Sequence, residues 1–340
     1  MVGSAEQSAG GVASVIRTMK QMPVWEEFRC GWLGTQIQRN HWWKVWYAIK
    51  AYFIALFTLW RYDIIHFHTV PDRICLIIQL PVFLLARLWR KKIVIQIHMG
   101  NQLAEHKDNK LFLWHLKRAS LIILLARKWQ QNFKEWFPTI HVPTKVVYNA
   151  CVSVNEVKQE EKQELIIMAA YLNDNKAPGL LLKAWKRIHA KYPGWRVAIL
   201  GNGEVERFKK MSDDMSLSES VTFTGYITGK TKEDFFRAAS IYCMCSYEEG
   251  FPMVALEAWA YGMCLVTTPV GGLPDVLEEG GNSLVFNFGD VGGLTGCLEK
   301  LITSDDKRRQ MAGYSRNFVY DHFSKEIICK KWEKIYACLS

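Results

Sequence analysis

Several features that would assign this chain of 340 residues to a common class of protein are missing. The nine cysteines are odd in number and scattered, and no CxxC pair occurs, so neither a disulfide framework nor a zinc ribbon is favoured. The first twenty residues lack a basic flank followed by an apolar run, so no signal peptide is predicted. The longest apolar stretches, 45–60 and 74–89, are interrupted before they reach the roughly 20 residues that span a membrane. The chain is therefore predicted to be soluble and cytoplasmic.

Acidic residues are scarce in the first half of the chain. Residues 1–150 contain 20 Lys/Arg and 8 Asp/Glu, so the net charge of +10 arises entirely there. In 41–54 aromatic residues stand beside Lys44 and Lys50, and 87–92 is a second basic cluster. Such segments suit an anionic membrane surface, although a packed core with solvated basic faces explains many of them equally well. No recognisable nucleic-acid fold accompanies them, so no nucleic-acid partner is predicted.

Short β-branched runs alternate with longer amphipathic stretches, which indicates parallel βαβ units. The length suits two domains. The predicted fold class is α/β, with two doubly wound, Rossmann-like domains that face a central cleft and bind ligands beyond the carboxyl ends of their strands. Because only Met1 and Val2 precede a segment of small residues, the first strand is predicted to be missing or vestigial. The predicted strands cover 64–68, 93–98, 121–125, 145–148, 165–170, 196–201, 221–225, 241–245, 264–267 and 283–286.

The domain bounds follow from a polar connector. This connector, 151–164, separates an N-terminal domain over 1–150 from a C-terminal domain over 165–322. A final helix over 323–340 is predicted to pack back toward the N-terminal domain.

The strongest local motif is Glu-Gly-Phe-Pro-Met-Val-Ala-Leu-Glu at 249–257. Pro252 suits the first turn of a helix, and Gly250 lets backbone approach closely just ahead of it. The N–H groups at such a helix start attract phosphate or a polar sugar. Glu249 and Glu257 are predicted on one side of the helix, since eight residues at 3.6 per turn return to nearly the same face. Each carboxylate could hold a pair of neighbouring hydroxyls, but an ordinary helix with two surface acids has the same spacing.

A second glycine-rich turn, 270–275, follows the next predicted strand. Together these segments resemble the donor-binding half of the GT-B glycosyltransferases, specifically the retaining family-4, or group 1, enzymes that use sugar nucleotides. The resemblance covers nearly the whole chain. Other matching positions are 8–14, Asn149, 169–176, 201–203 and 223–226.

The resemblance implies a hexosyltransferase. It would move a hexose-type sugar, with retention, from a UDP- or GDP-sugar to a saccharide or lipid-linked saccharide in the synthesis of cell-surface polysaccharide or glycolipid. Residues 1–150 would be the acceptor side and 165–322 the donor side. No Asp-x-Asp pair exists in the chain, which agrees with metal-independent transfer and with no cofactor or metal ligands. A peripheral position on the inner membrane face is consistent with a lipid-linked acceptor.

The resemblance also implies roles for single residues. Glu249 would hold hydroxyls of the donor sugar and Glu257 those of the ribose, while Lys176 would neutralise the diphosphate. His98 matches the family's active-site histidine, so His98 and Glu249 are the predicted catalytic residues, with Glu249 positioning the sugar and not attacking it. The other predicted donor-binding residues are Gly10, Gly11, Gly201, Tyr226, Gly250, Phe251, Pro252, Met253 and Val254.

One departure from the family puts the activity in question. Tyr171 stands where the family has the arginine that pairs with Lys176, and a buried pyrophosphate with one cation fewer is costly. Two alternatives stay open: a sugar-nucleotide epimerase or hydrolase on the same fold, and a catalytically degenerate binding module. His66 and His68 alternate on one strand face. With no third ligand in the pattern, they are predicted to pack or to line the cleft and not to bind metal.

Overall fold

The computed structural model describes residues 1–5, 11–36, 41–151 and 162–340. Among these residues the strands are β1 Val2–Ser4, β2 Leu33–Gln36, β3 Ile64–Thr69, β4 Lys92–Ile97, β5 Leu121–Leu124, β6 Thr144–Val146, β7 Gln163–Ala169, β8 Arg196–Leu200, β9 Val221–Gly225, β10 Ala239–Met244, β11 Cys264–Thr267 and β12 Ser283–Val285. The helices are α1 Gly11–Met19, α2 Val24–Glu27, α3 His41–Thr58, α4 Arg73–Leu88, α5 Lys110–Leu116, α6 Arg127–Trp136, α7 Pro178–Ile188, α8 Val205–Asp214, α9 Gly229–Ala238, α10 Met253–Ala260, α11 Val291–Ile302, α12 Asp305–Phe323 and α13 Lys325–Ala337.

The chain divides into two compact units, each built on a six-stranded parallel sheet. The first unit comprises Met1–Ala150 and Lys325–Ser340, and the second comprises Cys151–Ser324. The sheet orders are β2-β1-β3-β4-β5-β6 and β12-β11-β10-β7-β8-β9. The predicted α/β class with two Rossmann-like units is thus confirmed.

Continuous apolar runs form the central strands. Strands β4 and β5 of the first unit are almost entirely buried. A parallel sheet covered by helices on both faces requires such runs, because neither face of its strands meets water. In the first unit, α13 packs against α1 and α2. None of the helices in the described ranges has the length and apolar character needed to cross a bilayer.

The strand order of the second unit reverses between β7 and β10. From β7 the sheet continues through β8 to β9, and from β10 it continues through β11 to β12. Loops that leave two such strands diverge to opposite sides and create a crevice at the carboxyl edge. The loops after β7 and β10 are the segments that carry Lys176 and Glu249.

Several sequence predictions differ from the structure. The first strand is present as three residues of β1, which pair with both β2 and β3, and β2 was not predicted. Strand β7 begins at Gln163, inside the predicted connector, whose residues 152–161 lie outside the described ranges. After β11, Leu273–Asp275 form only a single turn of 3-10 helix, with Pro274 in that turn, which is too short to present a helical face.

Candidate donor-binding site

The loops after β7 and β10 are joined by the side chain and backbone of one residue, Asn175. Its Nδ2 donates to the carbonyl oxygen of Glu248 at 3.0 Å, and its Oδ1 accepts from the Glu248 N–H at 3.0 Å. The backbone oxygen of Asn175 accepts from the Tyr247 N–H at 2.7 Å. These bonds hold the two loops together at the point where the strand order reverses.

Two predicted ligand-binding residues bind each other in this structure. Lys176 Nζ, in the first loop, forms an ion pair with Glu249 Oε1, in the second. The same oxygen accepts a hydrogen bond from Ser246 Oγ at 2.8 Å. Both ionic side chains are largely shielded from solvent, so their attraction is screened less than that of a surface pair. The arrangement fixes one cation and one carboxylate side by side.

A second lysine–carboxylate pair involves a residue that the sequence analysis missed. Lys232 Nζ on α9 lies 2.7 Å from Glu257 Oε2 on α10, and the Glu257 side chain is buried. The chain separates these two residues by 25 positions, and many amphipathic helices carry exposed lysines. Local pattern therefore offered no signal for Lys232.

Tyr242, on β10, is a buried phenol whose pKa is affected by the charges of both carboxylates. Burial raises the pKa of its phenol, and the negative charges of Glu257 and Glu249 raise it further. Its hydroxyl donates to the carbonyl oxygen of Ala169 at 2.9 Å, so it remains neutral and ties β10 to the end of β7.

The predicted helical geometry of the acids is partly wrong. Helix α10 begins at Met253, with Pro252 in extended conformation at the cap position and not in the first turn. Glu249 therefore lies in the preceding loop, and the argument from 3.6 residues per turn does not relate it to Glu257. Pro252 offers no side-chain acceptor to the first turn of the helix. Phe251 is buried, whereas Met253 and Val254 are partly exposed.

Two glycines shape the turns around these loops. A Cβ at Gly201 would lie 1.7 Å from the carbonyl oxygen of Ala170, and one at Gly271 would lie 2.8 Å from those of Glu249 and Gly250. Both glycines have positive φ, +148° and +66°. The turn at Gly271 is bonded to the acidic loop, because the Gly272 N–H donates to Gly250 at 2.9 Å.

The remaining predicted donor-binding residues do not belong to the two lysine–carboxylate pairs. Tyr226 follows β9 and is exposed, as is Tyr171 after β7. Gly10 lies outside the described ranges. Gly11 begins α1, and a Cβ there would meet no atom within 4 Å. The donor-binding role predicted for these two glycines stays a prediction.

In the first unit, His98 follows β4 and bonds to a neighbouring histidine. His68 Nδ1, on β3, lies 3.0 Å from His98 Nε2, and the two ring planes differ by only 23°. His66 stacks on His68 with ring centroids 4.4 Å apart, and its Nδ1 lies 2.8 Å from the hydroxyl of Tyr336 on α13. The predicted packing role of His66 and His68 agrees with their burial. Within the described ranges, no group of three or more His, Cys, Asp or Glu residues is placed to hold a metal ion.

These histidines should make the first unit sensitive to acid. Burial lowers the pKa of His98 to about 4, and burial also lowers the pKa values of His66 and His68 well below the usual 6.5. A folded-state pKa below the unfolded value means that the unfolded chain binds more protons. The resulting stabilisation is complete above about pH 6.5 and is lost as the pH falls toward 4, by up to about 1.4 kcal/mol per pH unit for each group.

The measurement is the free energy of unfolding from denaturant titrations between pH 7.5 and 4.5. We expect His98→Gln to lose less stability than the wild type over this range. His141→Gln, at an exposed histidine, is the matched control and should follow the wild type. Equal slopes for all three proteins would contradict the prediction.

Comparisons with known proteins relate part of the chain to a family and the whole chain to a fold. Residues 153–318 match the model of the family described as glycosyl transferases group 1. An uncharacterized glycosyltransferase of Haemophilus influenzae is 27% identical over 209 residues, 61% of this chain and 57% of the relative. The lipopolysaccharide core biosynthesis glycosyltransferase LpsE of Rhizobium meliloti is 28% identical over 149 residues, 44% and 43% of the two chains. The chain thus spans about half the length of these curated relatives.

A solved structure extends the likeness in fold to the whole chain. Anabaena Alr3699/HepE in complex with UDP superposes with a TM-score of 0.78, covering 99% of this chain and 98% of that one at 16% identity. At that identity the comparison establishes the fold alone. Residues 153–318 are therefore similar to the group 1 glycosyltransferases, and the chain as a whole has the fold of the GT-B glycosyltransferases.

Proposed function

We propose that the protein is a retaining, metal-independent glycosyltransferase that uses a UDP- or GDP-sugar. The observation that carries the proposal is the pair of lysine–carboxylate contacts, Lys176 with Glu249 and Lys232 with Glu257, at the strand reversal of the second unit. A sugar nucleotide needs cations for its diphosphate and acceptors for its hydroxyls. Lys176 and Lys232 supply the cations, and the carboxylates of Glu249 and Glu257 can accept hydrogen bonds from hydroxyls. The complexes of Anabaena Alr3699/HepE with UDP and with UDP-glucose support a UDP-sugar for a protein of the same fold.

In the proposed mechanism, the chain supplies charge and position and no nucleophile. Cleavage of the bond to the nucleoside diphosphate leaves negative charge on the phosphates, and positive charge develops at the anomeric carbon. Lys176 and the N–H groups at the start of α10 would stabilise that negative charge. Glu249 would hold the sugar hydroxyls, Glu257 would hold the ribose, and His98 would contact the transferred sugar.

Lys232 is relevant to the position of Tyr171, where the family has an arginine that binds the diphosphate. Because the family's arginine is absent, a second cation must come from elsewhere in the chain. We propose that Lys232 supplies it, since its ammonium is already bound to Glu257 and half-buried. On this proposal the tyrosine does not signal a degenerate module.

The proposed acceptor is a saccharide or lipid-linked saccharide in polysaccharide or glycolipid synthesis, reached at the inner face of a membrane. The name of the relative LpsE supports a saccharide acceptor. An epimerase or hydrolase on this fold would instead turn over the sugar nucleotide with no acceptor present, and a binding module would bind it without turnover.

A melting experiment with a panel of sugar nucleotides tests the donor class. A ligand that binds only the folded protein at 100 times its dissociation constant stabilises it by about 2.7 kcal/mol. For a protein of this size we expect the melting temperature to rise by roughly 4 °C with a UDP- or GDP-sugar. The free sugar is the matched control and should give no rise.

Failure of every nucleotide and sugar nucleotide to raise the melting temperature would contradict the proposed function. If a nucleotide raises it, incubation with donor alone then separates the enzyme classes. Release of nucleoside diphosphate that requires a saccharide acceptor supports transfer, whereas conversion of the donor without acceptor supports the epimerase or hydrolase.

A further inference from the structure

Helix α3 of the first unit buries alanines and exposes large apolar side chains, which is the reverse of the usual pattern. On the side toward the sheet and α4 its alanines are buried, with Ala51 and Ala55 only 2% and 1% exposed, and Tyr47 and Tyr52 make further contacts there. Trp46 and Phe53 are 59% and 61% exposed on the same helix. A helix on the surface of a globular protein normally buries its large apolar side chains and exposes its polar ones.

Most of the exposed apolar side chains of α3 lie on one face. At 3.6 residues per turn, six of the nine fall within an arc of about 100° around the helix axis, roughly opposite the alanines, and Trp43, Val45 and Ile54 flank that arc. We call this row the aromatic face. Its members are Trp42, Trp46, Ile49, Phe53, Leu56 and Phe57.

The neighbouring helix α4 extends this apolar surface. Tyr52 of α3 donates to the carbonyl oxygen of Ile78 on α4 at 3.0 Å, so the two helices are in direct contact. Helix α4 exposes large apolar side chains at successive spacings of three, seven and four residues. These are Ile74, Ile77, Leu84 and Leu88. Exposed apolar side chains on two adjacent helices mark a site of interaction.

Charge indicates what covers the surface. Residues 41–92, which contain α3 and α4, hold eight Lys or Arg residues and only two acidic residues, Asp63 and Asp72. Seven of the eight are exposed: Lys44, Lys50, Arg61, Arg73, Arg87, Arg90 and Lys92. A second copy of this chain would bring the same positive charges into opposition, which is unfavourable. An anionic surface with an apolar interior fits both the charge and the aromatic rings.

We propose that α3 lies flat in the surface of an anionic membrane, with the aromatic face inserted at the boundary between headgroups and acyl chains. At 1.5 Å per residue its 18 residues extend about 27 Å along the surface. Tryptophan rings favour this boundary, and lysine and arginine side chains beside them reach the phosphates. The inference deepens the proposed function, because a membrane-bound enzyme meets a lipid-linked acceptor at its own surface.

Flotation with vesicles tests the proposal. The wild type should float with vesicles of phosphatidylcholine and phosphatidylglycerol, less so at high salt, and not with phosphatidylcholine alone. We expect the double variant Trp46→Ser/Phe53→Ser to bind the anionic vesicles at least 100-fold more weakly, since two large aromatic side chains no longer enter the apolar layer. Tyr320→Ser, which removes an exposed aromatic ring from the second unit, is the control and should bind like the wild type.

Because both replaced side chains are exposed, the double variant should melt at the wild-type temperature. Absence of salt-sensitive binding by the wild type, or equal binding by the double variant, would overturn the proposal. The proposal would also be overturned if light scattering showed a dimer for the wild type and a monomer for the double variant. The aromatic face would then join two copies of the chain. The melting response to sugar nucleotides is measured separately, so the membrane proposal can fail while the donor site stands.

Discussion

Replacing Glu257 by alanine is expected to weaken binding of the preferred sugar nucleotide roughly 10- to 100-fold. A buried carboxylate that accepts hydrogen bonds from ligand hydroxyls contributes about 1.5–3 kcal/mol through each such bond, and each 1.4 kcal/mol is a factor of ten in affinity. The affinity for the nucleoside diphosphate without its sugar should fall by the same factor, because the proposed partner of Glu257 is the ribose. Titration calorimetry with both ligands measures the two changes.

Two further variants make this result specific. Glu249→Gln should weaken binding of the sugar nucleotide but leave the affinity for the nucleoside diphosphate nearly unchanged, since its proposed partner is the sugar. Glu233→Gln removes a carboxylate from α9 that is paired with Arg237, and it should leave both affinities unchanged. If Glu257→Ala bound both ligands as tightly as Glu233→Gln, the assignment of Glu257 to the donor would be wrong.

Gly201→Ala is expected to destabilise the second unit by roughly 2–6 kcal/mol. The new methyl group would lie 1.7 Å from the carbonyl oxygen of Ala170, so the ends of β7 and β8 would have to separate. Strain at an unfavourable backbone conformation costs about 1–3 kcal/mol, and overpacking costs a similar amount. Since whole domains are stable by only about 5–15 kcal/mol, much of the protein could unfold at 37 °C.

Controls separate the clash from the backbone conformation. Gly289 has φ +85°, and a methyl group added there would meet no neighbour within 4 Å, so Gly289→Ala measures the conformational cost alone. Gly296, inside α11, has neither a close neighbour nor a positive φ, and Gly296→Ala should stabilise by about 0.5–1 kcal/mol. Denaturant titrations should rank the three variants in that order, and a Gly201→Ala protein as stable as Gly289→Ala would show that the clash relaxes freely.

The strands of the fold were largely predictable because buried parallel strands are short, continuous apolar runs. Strand β4 has the sequence Lys-Ile-Val-Ile-Gln-Ile, and its bounds were predicted to within one residue. Strand β2 has no such run, since it is an edge strand of Leu-Gly-Thr-Gln that is only half-buried. Its pairing with β1 depends on residues about 30 positions apart, which local pattern does not reveal.

The donor site was predictable in position but not in its contacts. The motif around Glu249 and Glu257 identified the loop and helix that carry the acids. The partners Lys176 and Lys232 reach these acids across 73 and 25 positions, so the ion pairs result from the fold and not from the motif. The contact between His68 and His98 arises likewise from pairing of neighbouring strands.

The tryptophans of the first half could not be assigned from composition. Trp129 is fully buried, whereas Trp42 and Trp46 are exposed. The alanines at 48, 51 and 55 carried the relevant signal, because they mark the side of α3 that can approach the sheet closely. Large residues elsewhere on that helix are then excluded from the core by geometry.

If the two lysine–carboxylate pairs bind the donor as proposed, the donor replaces one partner in each pair. A phosphate that takes a lysine frees the paired carboxylate, which then needs a hydroxyl to replace the lost ammonium. A free sugar offers the hydroxyl without the phosphate, and inorganic pyrophosphate offers the reverse, so each leaves one buried charge stranded at a cost. On the proposed function, an intact nucleoside diphosphate sugar replaces the partners of both pairs, so free sugar and inorganic pyrophosphate should each bind more weakly than the donor does.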